Sequence, residues 1–288
     1  MQRALALEPR NAEALRNLAD AYDAGNRIAD AESTYRRAIE LRQNSWAAYK
    51  ELAVFLYRQG RLDEAVPYFQ HVVALTPDSY LAYSNLGGVL LRLGRHDEAA
   101  TSLRKSLAIR PTWEAYSNLG TIEYLLGRYA PASEFYAKAV ELNSTSDRLW
   151  GNLADSYRWT PGRQQDAEAA YRRALELAGQ QVVVDPQNGL LRSEHAQYLA
   201  ALGMDSQARQ EIAHALRLAP RDGLVLFHAA LVEEQGGRRE EALRNLRAAL
   251  DAGFPREEIL KAPPLRALRQ DPQYALLIGN IRSKPISE

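Results

Sequence analysis

Apolar and small residues return along this chain in a fixed register of mostly 34 positions, and short polar stretches separate them. Asn-Leu-Ala-Asp stands at 17–20 and again at 152–155, and Ala-Tyr-Ser-Asn-Leu-Gly stands at 82–87 and 115–120. Aligning these gives units 12–45, 46–79, 80–112, 113–146, 147–188, 189–222 and 223–256. A repeating period has to be read before any other signal, because each unit is one supersecondary element that cannot bury its apolar face alone. Each unit predicts two helices. The first carries a large residue at position 4 (Leu15, Tyr49, Tyr83, Tyr116, Trp150) and a small one at position 8 (Ala19, Ala53, Gly87, Gly120, Ala154, Ala196, Ala230). The second carries alanine at position 20 throughout: Ala31, Ala65, Ala99, Ala132, Ala167, Ala208 and Ala242. Small residues on facing sides let antiparallel backbones approach, and the bulky neighbours fill the spaces between pairs. Glycine at position 15 (Gly60, Gly94, Gly127, Gly203, Gly237) supplies the turn. Proline near position 32 (Pro9, Pro77, Pro111, Pro186, Pro220) closes one unit before the next.

This combination of small, glycine and proline positions resembles the tetratricopeptide repeat family over residues 1–256. The resemblance implies an all-α, right-handed superhelical solenoid of about seven antiparallel helix pairs plus a C-terminal cap. First helices would line a concave groove, and second helices would form the outer face.

The register is interrupted in three places. The fifth unit has eight extra residues, one near Pro161-Gly162 and seven in the stretch Ala178 to Val184. Seven residues are about two helical turns, so they predict a longer second helix whose buried stripe keeps its direction. The run Val182-Val183-Val184 is then either packed on the sixth unit or a local partner contact. Residues 1–11 read as the end of a truncated preceding repeat, which implies more protein upstream and an open N-terminal helix face capable of self-association. Residues 257–281 leave the pattern but keep apolar Ile259, Leu260, Leu265, Leu268, Tyr274, Leu277 and Ile278, as C-terminal capping helices would, and 282–288 read as a flexible tail.

Composition removes several functional classes. Thirty-six Lys and Arg balance 36 Asp and Glu, which argues against a general nucleic-acid or membrane-surface binder. Cysteine is absent, excluding disulfides and thiolate chemistry. No signal peptide or membrane-spanning stretch is present in the sequence, so the expected compartment is cytoplasmic, with the periplasm left open. The five histidines (His71, His96, His195, His214, His228) occupy unrelated repeat positions, so no metal site and no cofactor are expected. His195, where the family has leucine, reads as a satisfied, partly buried packing residue. No phosphate loop or nucleophile elbow appears, and the pairs Glu233-Glu234, Glu240-Glu241 and Glu257-Glu258 read as solvated helix ends; the chain is not expected to be an enzyme.

The resemblance places ligand contacts on first-helix positions that packing leaves free. Position 6 is asparagine in four units, Asn17, Asn85, Asn118 and Asn152. Such amides either pair with the backbone of an extended peptide or hydrogen-bond a neighbouring helix. Lys50, Tyr57, Ser84, Leu91, Ser117, Tyr124, Arg148, Asp155 and Arg158 surround them. Aromatic and arginine side chains are common interface anchors. An acidic first unit (Glu13, Asp20, Asp23) and a basic fifth (Arg148, Arg158) form a charge gradient that would orient a peptide. The expected role is a protein–protein interaction scaffold gripping an extended partner segment in the groove of units 2 to 5. The alternatives are a docking segment of a larger bacterial signalling protein with an upstream kinase or DNA-binding domain, and a self-association module.

Overall fold

The computed structural model describes residues 12–279, so the expectations for 1–11 and 282–288 lie outside the described residues. All regular structure among the described residues is helical, with no strand. The chain divides into two compact units, 1–126 and 127–288.

The N-terminal unit holds α1 (Ala12–Ala24), α2 (Ile28–Leu41), α3 (Trp46–Arg58), α4 (Leu62–Leu75), α5 (Tyr80–Arg92), α6 (His96–Ile109) and α7 (Trp113–Leu125). Helices α1 and α2, α3 and α4, and α5 and α6 pack as antiparallel pairs. At every crossing the position-8 and position-20 residues are buried: Ala19 with Ala31, Ala53 with Ala65, Gly87 with Ala99. The approach is closest at Gly87, where a Cβ would lie 2.6 Å from Leu103 Cγ and 3.3 Å from the Ala99 carbonyl oxygen. Tyr35, Leu52, Phe55, Leu56, Leu90, Leu103 and Leu119 fill the core between pairs. The turn at position 15 is left-handed, with φ of +75° at Gly60 and +71° at Gly94. In the first repeat that place is taken by Asn26 at φ +55°, and asparagine is among the few side chains that tolerate it.

Helix starts follow two chemistries. Ser79 and Thr112 accept from backbone N–H groups at the starts of α5 and α7. Second helices instead begin after an arginine that reaches forward to an acid three residues on: Arg27 to Asp30 (2.7 Å), Arg61 to Glu64 (2.6 Å) and Arg95 to Glu98 (2.7 Å). The acid then sits in the first turn, where the helix dipole favours it.

The C-terminal unit holds α8 (Tyr129–Leu142), α9 (Asp147–Arg158), α10 (Gln164–Val184), α11 (Gly189–Ala201), α12 (Asp205–Leu218), α13 (Gly223–Gln235), α14 (Arg239–Asp251), α15 (Arg256–Lys261), single 3₁₀ turns at Pro263–Leu265 and Leu268–Gln270, and α16 (Pro272–Gly279). Pairs form between α9 and α10, α11 and α12, and α13 and α14. The extra residue in the α9–α10 turn lies ahead of Gly162, which takes the left-handed place at φ +79°. Helix α10 runs 21 residues as its spacing predicts, but its end is not packed: Val183 and Val184 are 81% and 85% exposed. Of the seven added residues, Ala178 is buried and Gln181 bonds Asp147, so only the last two run past the surface their neighbours offer. Ile259, Leu265, Leu268, Tyr274, Leu277 and Ile278 bury themselves against Leu226, Phe227, Leu243 and Leu246 of the last pair. Phe254 stacks on Phe227 with ring centroids 4.5 Å apart.

Candidate partner-binding face

In the N-terminal unit α1 packs on α3 and α5 on α7, so the first helices form a row. Complementary side chains link neighbouring members. Arg16 of α1 grips Glu51 of α3 through two hydrogen bonds, one of 2.5 Å, and this contact raises the arginine's pKa. Arg58 reaches Asp23 at 2.5 Å, and Arg92 lies over the Tyr57 ring at 4.8 Å. Asp20 accepts the hydroxyl proton of Tyr35, whose own pKa is pushed up first by burial and then by that bond. Of the acids expected to mark this end, Asp20 therefore meets a tyrosine hydroxyl and Asp23 is offset by an arginine within the unit. The cause is that position 13 of one repeat supplies an arginine to position 12 of the repeat before it.

What this row presents is polar and amide-rich. Asn17 and Asn85 are exposed and Asn118 is half-buried, and none of the three makes a side-chain hydrogen bond among the described residues. Asn85 and Gly88 lie one turn apart on α5, and Asn118 Nδ2 of α7 is 4.0 Å from where a Gly88 Cβ would be. These three form a continuous patch. Asn17 is separated from it by Glu51, which holds position 6 on α3. Lys50, half-buried, sits 5.5 Å over the Trp46 ring, and Ser84, Leu91, Ser117 and Tyr124 are half-buried on α5 and α7. Gly88 escaped the sequence reading, although a mid-helix glycine outside the position-8 column is a visible signal.

The C-terminal unit has its own first-helix face on α9, α11 and α13. Asn152 is half-buried and makes no side-chain hydrogen bond among the described residues. Arg148 is paired with Glu194 at 2.7 Å, so the basic character expected of this repeat is also offset locally. Asp155 accepts from the Tyr171 hydroxyl; burial raises its pKa, and the tyrosine bond opposes that shift. Arg158 is exposed and lies 5.9 Å over the Trp159 ring. Asp147 is buried and accepts from Gln181 Nε2 at 2.8 Å and from the Tyr198 hydroxyl at 3.4 Å. Glu194 and His228 continue the position-6 column of Asn152, a placement readable from the register but passed over because their residue types differ.

Two expectations need correction. His195 is half-buried, but its Nδ1 is buried with no hydrogen-bond partner, so the ring is not satisfied; burial lowers its pKa. Glu233 and Glu234 are not solvated helix ends. Arg238, in the turn that follows α13, holds the first, and Arg239, the first residue of α14, holds the second at 3.2 Å. No group of three or more His, Cys, Asp or Glu suited to a metal ion occurs among the described residues, and no described helix is long and apolar enough to cross a membrane.

Sequence profiles described as Tetratricopeptide repeat match residues 1–53, 46–112, 78–145 and 147–181. No curated protein matches the chain. Among solved structures, a tetratricopeptide repeat protein from Parabacteroides merdae superimposes with a TM-score of 0.63 at 17% identity, covering 90% of this chain and 99% of that one. The structure of the APC/C hetero-tetramer Cut9-Hcn1 gives a TM-score of 0.63 at 16% identity over 85% of this chain, which spans 45% of that one. MamA protein gives 0.54 at 19% identity, over 60% of this chain and 95% of that one. At these identities the structures speak for the fold alone. The register of small residues, the left-handed turns and the matched profiles agree: the chain belongs to the tetratricopeptide repeat family.

Proposed function

We propose that this chain is a non-catalytic protein–protein interaction scaffold that holds an extended segment of a partner polypeptide against its first-helix faces. The family and fold are consistent with a scaffold. The observation that favours an extended segment is the patch of Asn85, Gly88 and Asn118. Glycine inside a helix costs about 1 kcal/mol relative to alanine. At Gly88 that cost has no packing reason, since a Cβ would meet only the Asn118 amide at 4.0 Å and no positive φ is required. Bare helix backbone between two unpaired amides suits the close approach of another main chain, with each amide offering a donor and an acceptor to its peptide groups. Asn152 offers the same chemistry on the separate face of the C-terminal unit.

The test starts with affinity capture to identify the partner and continues with fluorescence titration of its bound segment. Replacing Asn85 or Asn118 by alanine is expected to weaken binding by about 1 kcal/mol each, roughly fivefold. Gly88→Leu, which fills the approach without touching the core, is expected to weaken it further. Affinity unchanged in all three variants would remove the extended-segment reading.

A further inference from the structure

Two unfilled hydrogen-bond acceptors lie at position 6 of adjacent first helices in the C-terminal unit. Glu194 on α11 is 7% exposed; its Oε1 takes Arg148 Nη2 at 2.7 Å, while its Oε2 is buried without a partner. His228 on α13 is 8% exposed, and the tautomer of its ring follows from its one bond. Ser193 Oγ lies 2.7 Å from the Leu190 carbonyl oxygen and 2.9 Å from His228 Nδ1. A carbonyl only accepts, so the single hydroxyl proton goes there and Nδ1 must donate to the hydroxyl oxygen. The ring is neutral, because burial first and the Arg148 charge second lower its pKa to about 3, against a small opposing effect of Asp222. Its Nε2 is therefore a lone-pair acceptor, and no partner for it exists among the described residues.

Charge around these two groups points the same way. The buried carboxylates of Asp147 and Glu194 both act on Arg148, which is the guanidinium they share. Asp147 is satisfied by Gln181 and Tyr198, whereas Glu194 is not. Arg148 itself is held by a single 2.7 Å contact, and its side chain is 58% exposed, so breaking that contact releases its guanidinium toward solvent. Since no three-donor metal cluster is present among the described residues, the fitting occupant is an organic cation rich in N–H donors.

We propose that Glu194 and His228 form an acceptor pair that receives the cationic side chain of a partner's lysine or arginine, with Arg148 holding its place in the free protein. This deepens, and rests on, the reading of first-helix faces as binding surfaces. It also reverses the polarity expected from the sequence, since this repeat then accepts a basic residue of the partner and not an acidic one.

The experiment uses the full chain and small probes, so it does not depend on finding the partner. Acetyl-lysine-N-methylamide, acetyl-arginine-N-methylamide and the uncharged acetyl-norleucine-N-methylamide are titrated near neutral pH while proton–carbon correlation NMR follows the His228 ring. A saturable shift with either cation, absent with norleucine, is expected, and the stronger of the two names the side chain. Arg148→Ala is expected to bind at least about fivefold tighter, because the internal competitor is gone. Glu194→Gln is expected to bind at least about tenfold weaker, because the buried charge is lost. Weaker binding of the cations by Arg148→Ala would overturn the proposal, because Arg148 would then assist the probe and not compete with it. Equal shifts with norleucine, or no saturable shift in both wild type and Arg148→Ala, would overturn it outright. If Glu194→Gln does not fold, the sign of the Arg148→Ala effect still decides, because that side chain is mostly exposed. Failure here would leave the Asn85 and Asn118 titrations untouched, so the two readings fall separately.

Discussion

Gly87 and Gly88 are neighbours on α5 with opposite reasons for being glycine. A Cβ at 87 would lie 2.6 Å from Leu103, so Gly87→Ala is expected to cost about 1–3 kcal/mol through overpacking. A Cβ at 88 meets open space beside Asn118, so Gly88→Ala is expected to stabilise by about 0.5–1 kcal/mol. Urea unfolding of the two variants checks the contrast, and loss of stability at 88 would remove the argument that this glycine serves an approaching ligand. His228 adds a pH dependence. Above about pH 6.5 the imidazole is neutral in both folded and unfolded chains, and between there and about pH 3 the unfolded chain takes up a proton that the buried ring refuses. Stability is therefore fully present above that window and falls as pH drops through it, by about 1.4 kcal/mol per unit for this residue. Between about pH 7 and pH 5, wild type is expected to lose about 2 kcal/mol more than His228→Asn. An equal loss in both would show that the ring is not held neutral.

At the scale of the element, each turn depends on one left-handed residue. Asn26 is the one described non-glycine residue with positive φ, and Asn26→Ala is expected to cost about 1–2 kcal/mol, while Asn26→Gly should be tolerated. Thermal unfolding separates the two; similar behaviour would mean the turn is set by its flanking helices. The helix pairs themselves were legible in the sequence because their determinants are local and periodic. A small residue at positions 8 and 20 and a glycine at 15 carry the same meaning in every repeat. The first-helix faces were legible only as a list of free positions. Whether a side chain there is available depends on a partner about 35 residues away, as with Arg16 and Glu51 or Arg58 and Asp23. Arg148 was readable as a basic residue, but not as a paired one, because Glu194 lies in the next repeat beyond the lengthened α10. The overhang at Val183 and Val184 shows the same limit, since periodicity predicts the helix but not whether anything lies beside its last turns.

For the whole molecule, repeats that touch only their neighbours make stability a sum of local interfaces, so damage stays near where it is made. Each compact unit has its own apolar interior, with Leu52, Phe55 and Leu90 in one and Leu226, Leu246 and Leu265 in the other. Leu265 is fully buried in the segment that covers α13 and α14. Leu265→Ala leaves a cavity there and is expected to cost about 2–5 kcal/mol. Because α13 and α14 rest directly on that segment, their amides should lose most hydrogen-exchange protection, with a smaller loss in α11 and α12. Protection in α1 to α4 should not change, since no part of that core contains Leu265. A uniform fall along all helices would show that the chain opens as one cooperative body. A graded fall would mean that the acceptor pair at Glu194 and His228, which sits on α11 and α13, is the part of the binding surface most sensitive to the state of the C-terminal cover.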